Sequence, residues 1–319
     1  MNRWLPYAGR KVLVTGATGF VGACLTRRLV EHSADVHILT RPSSNRWRIR
    51  DLMSNLYVYE VDLRDAGPLK AILTRIRPEV TFHCATYGGL PVQQDATQIM
   101  ETNVFGTWNL LAGLASVGCG CLIQMGSSSE YGLKSHPMRE DDSLEPVSVY
   151  GASKAATSLL CQAIAHQGNF PAVTLRLFSP FGYYEEPTRL VPYVIDRCLR
   201  GLEPALTDGT AVRDFTFVED VIDACLLVGS RNPICSGVFN VATGMQHSVR
   251  DIVDKIVVLS GARVTPKWGV LPPRPLEPTT WVADISKVKQ VFGWFPKYTV
   301  DEGLHLTIEW HRRRLALNS

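Results

Sequence analysis

The chain has 319 residues, 45% of them hydrophobic and 20% charged, with a formal net charge of +3. That length supports a sizeable core in one large or two modest domains. The weak charge excludes the basic field of a protein that grips nucleic acid or a membrane surface, and no apolar run approaches the ~20 residues of a membrane span.

The N-terminal stretch "MNRWLPYAGRKVLVTG" has neither the apolar core nor the small-residue cleavage site of a signal peptide. "KVLVTG" (11–16) is a short apolar run ending in glycine and predicts a buried strand. "FVGACLTRRLVEH" (20–32) carries apolar residues at helical spacing, and "DVHILT" (35–40) and "LYVYEVD" (56–62) read as the second and third strands. "DAGPLKAILTRIRP" (65–78) predicts a helix closed by proline, and "EVTFHCA" (79–85) a fourth strand. Residues 95–118 predict one long helix with Gly118 as its C-cap. "GCLIQMGSSS" (120–129) is a fifth strand, residues 148–168 another long helix, and "FPAVTLRLFSPFG" (170–182) brings a sixth strand. Strands alternating with helices imply right-handed crossovers and a parallel sheet covered on both faces.

After about residue 180 proline and glycine become frequent and elements shorten, as in the extended loop "VLPPRPLEP" (270–278). We read residues 1–180 as the main domain. Residues 181–319 form mainly a smaller lobe, with some segments returning to the main domain. The eight cysteines lie scattered through apolar segments, as at Cys24, Cys84 and Cys161, the usage of reduced thiols in a cytoplasmic protein. "CGC" at 119–121 has no second ligand cluster, so no metal site is read.

"TGATGFVG" places Gly16, Gly19 and Gly22 directly after the first strand and opening the first helix. Glycine permits the tight turn, the approach of backbone N–H groups to a pyrophosphate, and close helix packing. Thr18, Phe20 and Val21 complete this loop, and the helix N-terminus adds favourable partial charge. In this strand–turn–helix context the triplet predicts a Rossmann-type, doubly wound α/β fold that binds a dinucleotide. After the second strand, where NAD sites usually place a carboxylate, the chain reads "HILTRPSSN". Arg41 and Ser43, with Arg46 nearby, suit a 2′-phosphate, so NADP(H) is favoured over NAD(H). Asp62 and Leu63, at the end of the third strand, and Ala85, at the end of the fourth, are placed along the same edge.

The fifth strand ends in "MGSSSEYG" at the sheet's carboxyl edge, where ligands bind in such folds. Ser127 is the first hydroxyl off that strand, and Tyr150 and Lys154 follow at the start of a helix, four residues apart and on one face. A free phenol, with a pKa near ~10, is a poor base at neutral pH. An adjacent ammonium and a cationic nicotinamide both favour phenolate. Tyr7 and Lys11 have the same spacing but neither the serine nor the glycine loop, and read as structural.

With "TGATGFVG", "HCAT", "NVFGT", "GSSSEYG", "YGASK", "LRLFSPFG", "RDFTFVEDV" and "GWFP" in this order, the sequence resembles the extended short-chain dehydrogenases/reductases, specifically nucleotide-sugar epimerases, dehydratases and ketoreductases. The resemblance spans nearly the whole chain. It implies Ser127, Tyr150 and Lys154 as the catalytic triad, with Tyr150 and Lys154 also touching the cofactor, and Asn103 in support through ordered water. It puts Thr86 and Tyr87 beside the nicotinamide or sugar, Ser179 near the same group, and Arg213 and Arg274 on the substrate diphosphate, where a guanidinium fork fits. Ser128 and Ser129 border the substrate, and Ser128 is the alternative active hydroxyl. Dehydratases of this family often carry an acid two positions after the active hydroxyl residue. Counting from Ser127 that place holds Ser129, and Glu130 regains the spacing only if Ser128 is the active residue.

These readings favour an NADP(H)-dependent reductase of a 4-keto-6-deoxy nucleotide sugar. The alternative is a nucleotide-sugar 4-epimerase with recycled bound NAD, followed by a 4,6-dehydratase. A non-catalytic dinucleotide sensor is opposed by the complete triad, and a serine hydrolase by the absence of G-x-S-x-G. No nucleic-acid or membrane partner is expected. The family usually dimerises through two long helices, here about 95–117 and 148–167, which implies a homodimer.

Overall fold

The structure, a computed structural model, describes residues 7–231, 235–272 and 278–318. β1 (Lys11–Thr15) buries Val12, Leu13 and Val14 completely, as a strand covered on both faces requires. α1 (Phe20–Glu31) and β2 (Asp35–Thr40) follow. A 3-10 helix over Trp47–Asn55, in the arginine-rich stretch where no element was predicted, leads to β3 (Tyr57–Glu60). α2 (Ala66–Ile76) stops at Arg77, whose left-handed backbone precedes Pro78, and β4 (Val80–His83) follows.

The predicted single helix at 95–118 is interrupted. α3 (Ala96–Met100) passes through one π-helical turn, Glu101–Phe105, into α4 (Gly106–Val117). The wider turn lies where the Asn103 side chain is buried and bound to groups outside its own helix. Such turns are frequent at functional sites. β5 (Cys121–Ser127) leads to α5 (Val149–His166), which Ser148 caps by accepting from the Gly151 amide at 3.0 Å. β6 (Ala172–Leu177), β7 (Pro180–Phe181), α6 (Leu190–Leu199), β8 (Val212–Arg213) and β9 (Thr216–Phe217) come next. The chain ends with α7 (Val218–Gly229), β10 (Gly237–Val241), β11 (His247–Ser248), α8 (Val249–Ser260), α9 (Ser286–Phe292) and α10 (Val300–Asn318).

The main sheet has seven strands in the order β10-β6-β5-β4-β1-β2-β3. All neighbours from β3 to β6 pair in parallel. The chain winds outward from β1 through β2 to β3, then returns to β4 on the other side of β1. The carboxyl edge between β1 and β4 is thus the switch point where ligands bind in doubly wound sheets.

The chain divides into two compact units. One comprises residues 1–132, 140–177 and 222–240, and the other 133–139, 178–221 and 241–319. In the first unit α2 packs on α4, with Leu69, Leu73 and Ile76 against Leu110, Leu111 and Leu114. Gly113 permits this approach, because a Cβ there would lie 2.5 Å from Leu73 Cδ1. Tyr7 belongs to this unit's core. It is fully buried, its hydroxyl donates to the Leu226 carbonyl at 2.8 Å, and burial pushes its phenol well above the usual value. The second unit pairs β7 with β9 and β8 with β11, and packs α6, α8 and α10 together. Among the described residues no helix is long and apolar enough to cross a membrane.

Because Leu73 is completely buried in the α2–α4 seam, Leu73→Ala should lower the free energy of unfolding by about 2–5 kcal/mol. Urea denaturation followed by circular dichroism measures this.

Candidate active site

At Gly16 and Gly22 the turn after β1 and the start of α1 leave no room for a side chain. Gly16 has φ +69° and its Cβ would lie 2.5 Å from the Ala85 nitrogen, while a Cβ on Gly22 would lie 2.2 Å from the Gly16 carbonyl oxygen. Gly19 caps α1 with no side-chain bond, so the first-turn amides have no side-chain acceptor there. Thr18, Phe20 and Val21 are half-buried around this bare helix start. A turn whose glycines allow close backbone approach, opening onto a positive helix end, fits a dinucleotide pyrophosphate.

The adenosine side is mixed. Arg41 and Ser43 are exposed just beyond β2, and the Arg41 amide donates to Ser44 Oγ at 3.0 Å. Arg46 instead pairs with Glu60 and reaches Thr40 Oγ1. Arg48, which the sequence reading missed, is buried, donates to the Thr18 carbonyl at 3.3 Å and covers the Trp47 ring at 4.5 Å. Asp62 is clamped by Arg64, whose side-chain hydrogen bonds hold that carboxyl below its usual value. Leu63 is buried, and Ala85 is half-buried with its amide donating to Thr15 Oγ1 at 3.3 Å.

Below this turn lies a buried polar chain. Thr15 Oγ1 meets His83 Nδ1 at 2.6 Å, and His83 Nε2 meets Thr107 Oγ1 at 2.8 Å. A lone histidine on an apolar strand gives no sequence signal of this role.

At the chemical end Ser127 closes β5 and is half-buried, and its Oγ accepts from the Ser129 amide at 3.1 Å. The hydroxyl proton remains available for donation. Ser128 is buried and Ser129 half-buried in the 3-10 turn that follows. Tyr150 is half-buried at the start of α5, with its ring against Gly88 and Gly89. A Cβ on Gly88 would lie 3.3 Å from Tyr150 Cδ2. Lys154 is fully buried and donates to the Met125 carbonyl on β5. Burial lowers its ammonium below the usual value, and the Glu130 carboxylate opposes that shift.

Asn103 ties these parts together. Its Oδ1 accepts from the Tyr87 amide at 2.8 Å and from Thr86 Oγ1 at 3.3 Å, and its Nδ2 donates to the Tyr87 carbonyl at 2.8 Å and to Ser153 Oγ at 2.9 Å. Ser153 in turn donates to the Tyr150 carbonyl at 2.8 Å. Ser153 stands inside "YGASK" and was legible as a motif position, but not as this link.

In the second unit Ser179 has φ +31° and its carbonyl accepts from the Thr216 amide at 3.3 Å. Arg213, on β8, lies 5.3 Å from the Trp281 ring centroid. Its neighbour Asp214 is buried and accepts from the amides of Thr243, Gly244 and Ala283, so its carboxylate is committed to backbone. Burial nevertheless pushes Asp214 up to about 6. Arg274 and Glu277 lie outside the described residues.

Comparison with known proteins agrees with this architecture. The pattern of the NAD dependent epimerase/dehydratase family matches residues 12–242, and the chain belongs to that family. It is an enzyme of the extended short-chain dehydrogenase/reductase type. It is 26% identical to the dTDP-glucose 4,6-dehydratase of Haemophilus influenzae, over 94% of this chain and 97% of that one. Among solved structures it resembles the UDP-glucose 4-epimerase of Thermotoga maritima with UDP-glucose, at 28% identity, TM-score 0.87, and coverage of 95% and 99%. It also resembles MoeE5 in complex with UDP-glucuronic acid and NAD, at 31% identity, TM-score 0.84, and coverage of 95% and 99%.

His83 yields a prediction about stability. Burial, aided by the Lys154 charge, pushes its imidazole down to about 3, whereas the unfolded value is about 6.5. The unfolded chain therefore takes up a proton that the folded protein refuses. The contribution is fully present above about pH 6.5 and is lost as pH falls toward 3, by up to about 1.4 kcal/mol per pH unit. His83→Gln should flatten the acid-side slope by up to that amount, as measured by urea unfolding at stepped pH between 7 and 5.

Proposed function

We propose that the chain is a nucleotide-sugar 4-epimerase that retains and recycles one NAD. The observation that carries this over dehydration is the place of Glu130. It is fully buried and paired with Arg176 at 2.8 Å, while the place two after Ser127 holds Ser129, which has no acidic group. Elimination of a C6 hydroxyl needs a carboxyl within reach of that oxygen. The epimerases among the family members and the NAD in solved relatives support the reading over a net reductase.

When bound, the nicotinamide supplies hydride acceptance and return at C4. Tyr150 takes the proton from the 4-hydroxyl and returns it to the 4-oxygen after the keto sugar has presented its other face. Ser127 holds that oxygen. Lys154 favours the phenolate by its charge and grips the nicotinamide ribose. Asn103 and Ser153 hold the Tyr150 backbone relative to Thr86 and Tyr87. Arg213 and Arg274 are assigned to the substrate's diphosphate, and Ser179 to the nicotinamide or sugar.

A second reading, a reductase of a 4-keto-6-deoxy nucleotide sugar using NADPH, is favoured by Arg41. It is exposed beyond β2 with Ser43 nearby, and no carboxylate occupies the corresponding place. Mass spectrometry of the small molecule released on denaturation separates the two. Retained NAD(H) is expected. An empty protein that then prefers NADPH to NADH would establish the reductase instead.

Tyr150→Phe should keep the fold and lower turnover of the nucleotide sugar by about 10²–10⁴-fold. Undiminished cofactor-linked function in that variant would point to a sensor. We also read the protein as a cytoplasmic homodimer. Met100, Phe105 and Trp108 on the α3–α4 segment and Leu159 on α5 are exposed, Phe105 at 60%, and such apolar side chains suit a helix-pair interface. Light scattering at micromolar concentration should give twice the chain mass, and a monomer would overturn the assembly.

A further inference from the structure

Glu130 is not idle. Its Oε1 accepts from the Ser127 amide at 2.8 Å, and its Oε2 accepts from Ser158 Oγ at 2.7 Å and from Arg176 Nε at 2.8 Å. Both charged side chains are almost wholly enclosed, at 0% and 2% exposure. The sequence makes room for them. Gly126 stands opposite Arg176 in the β5–β6 register, and a Cβ on Gly126 would lie 2.8 Å from Glu130 Oε1 and 2.7 Å from Thr174 Cγ2. Arg176 also covers the Tyr131 ring at 4.5 Å, and the Tyr131 hydroxyl donates to Asn240 Oδ1 at 2.7 Å.

The pair adjoins Lys154. Ser158 follows Lys154 by one helical turn and shares its face of α5. The carboxylate that Ser158 holds is therefore on the lysine's side. Lys154 itself bonds the Met125 carbonyl, two residues before Ser127. The other titratable or charged groups around the ammonium are Cys84 and His83 from the end of β4, Cys161 and the Tyr150 phenol on α5, and the Arg176 guanidinium bound to the same carboxylate. Burial keeps the thiols of Cys84 and Cys161 neutral, pushed up to about 12, and keeps His83 neutral as well. Glu130 is then the carboxylate acting on a buried lysine, its field reduced by the Arg176 cation beside it.

We propose that Glu130, braced by Arg176, is a positioning residue of the reaction: it fixes the backbone of Ser127 and acts as the buried counter-ion of Lys154. It touches no substrate. Its effect passes through Ser127, whose hydroxyl meets the sugar oxygen, and through Lys154, whose ammonium sets the proton affinity of Tyr150. The inference rests on the assignment of Tyr150 and Lys154 made above.

Glu130→Gln removes the charge and keeps an acceptor for the Ser127 amide. With the counter-ion gone Lys154 gives up its proton at lower pH. The alkaline limb of the kcat–pH profile should move down by about one unit, about a tenfold loss of kcat above it, with KM for the nucleotide sugar unchanged. A lone Arg176 left in the core is costly, so Glu130→Gln/Arg176→Met serves as the second variant, because removing both charges is tolerated better than removing one. It should show the limb displaced in the same direction but by less, because the Arg176 cation that opposes Glu130 at Lys154 is gone as well. A wild-type limb in either folded variant overturns the counter-ion role. Hydrogen exchange in the unmodified protein tests the anchor without any variant. Residues 126–131 should exchange as slowly as β5, and exchange as fast as an exposed loop overturns it. If the unmodified protein turns over no nucleotide sugar, the assigned activity fails, and the exchange result still judges the anchor.

Discussion

The approach of one backbone to another at the carboxyl edge of the sheet governs the rest of the first unit. Gly16 leaves β1 in a left-handed conformation and lies so close to Ala85 that no side chain fits between them. That contact sets the turn into α1 against the turn out of β4. From there a run of hydrogen bonds passes through the Tyr87 peptide to Asn103, from Asn103 to Ser153, and from Ser153 to the Tyr150 carbonyl. The glycine turn and the tyrosine are thus joined by bonds that are buried or half-buried, where breaking one leaves a costly unpaired group. A reacting pair must be held to a fraction of an ångström, and a chain of this kind supplies that rigidity.

What could be read from the sequence follows from how local each signal is. Six of the sheet's seven strands, β1 to β6, the glycine turn and the two long helical stretches announce themselves through periodicity and turn residues within a few positions, whereas β10 does not. The π turn does not. It accompanies Asn103, whose partners lie 16 and 50 residues away in sequence. Glu130 is the clearest case of a residue whose letter misleads. Counted from Ser128 it regains the dehydratase spacing, and counted from Ser127 it does not. Its burial depends on Gly126 and Arg176 facing each other across β5 and β6, and register is invisible before the sheet is assembled. Asp62 behaves similarly, because Arg64, two residues on, takes both of its oxygens.

Lys154 shows why such pairings matter for chemistry as well as folding. An ammonium withdrawn from water is disfavoured, and burial lowers its pKa. A lysine that lost its proton near neutral pH would stop assisting Tyr150. A carboxylate inside the core opposes that shift, but it brings its own desolvation cost, which Arg176, Ser158 and the Ser127 amide offset. The cluster behind β5 is therefore intelligible as one electrostatic unit with the lysine in front of it.

The same cluster bears on which reaction the site performs. Oxidation at C4 requires a base at the 4-oxygen and a hydride acceptor, and the proposed Tyr150–Lys154–Ser127 set meets the first need. Dehydration adds a second proton transfer at C6, and the carboxyl nearest in sequence is held by three donors away from that task. Epimerisation and net reduction then share every residue of the proton machinery. They differ in whether the cofactor leaves between turnovers, and in such folds the cofactor's ribose is read after the second strand, apart from the triad. There Arg46 is spent on Glu60 and Asp62 on Arg64, while Arg41 stays exposed. The turn after β2, with Arg41 exposed and no carboxylate, is therefore where the two readings diverge.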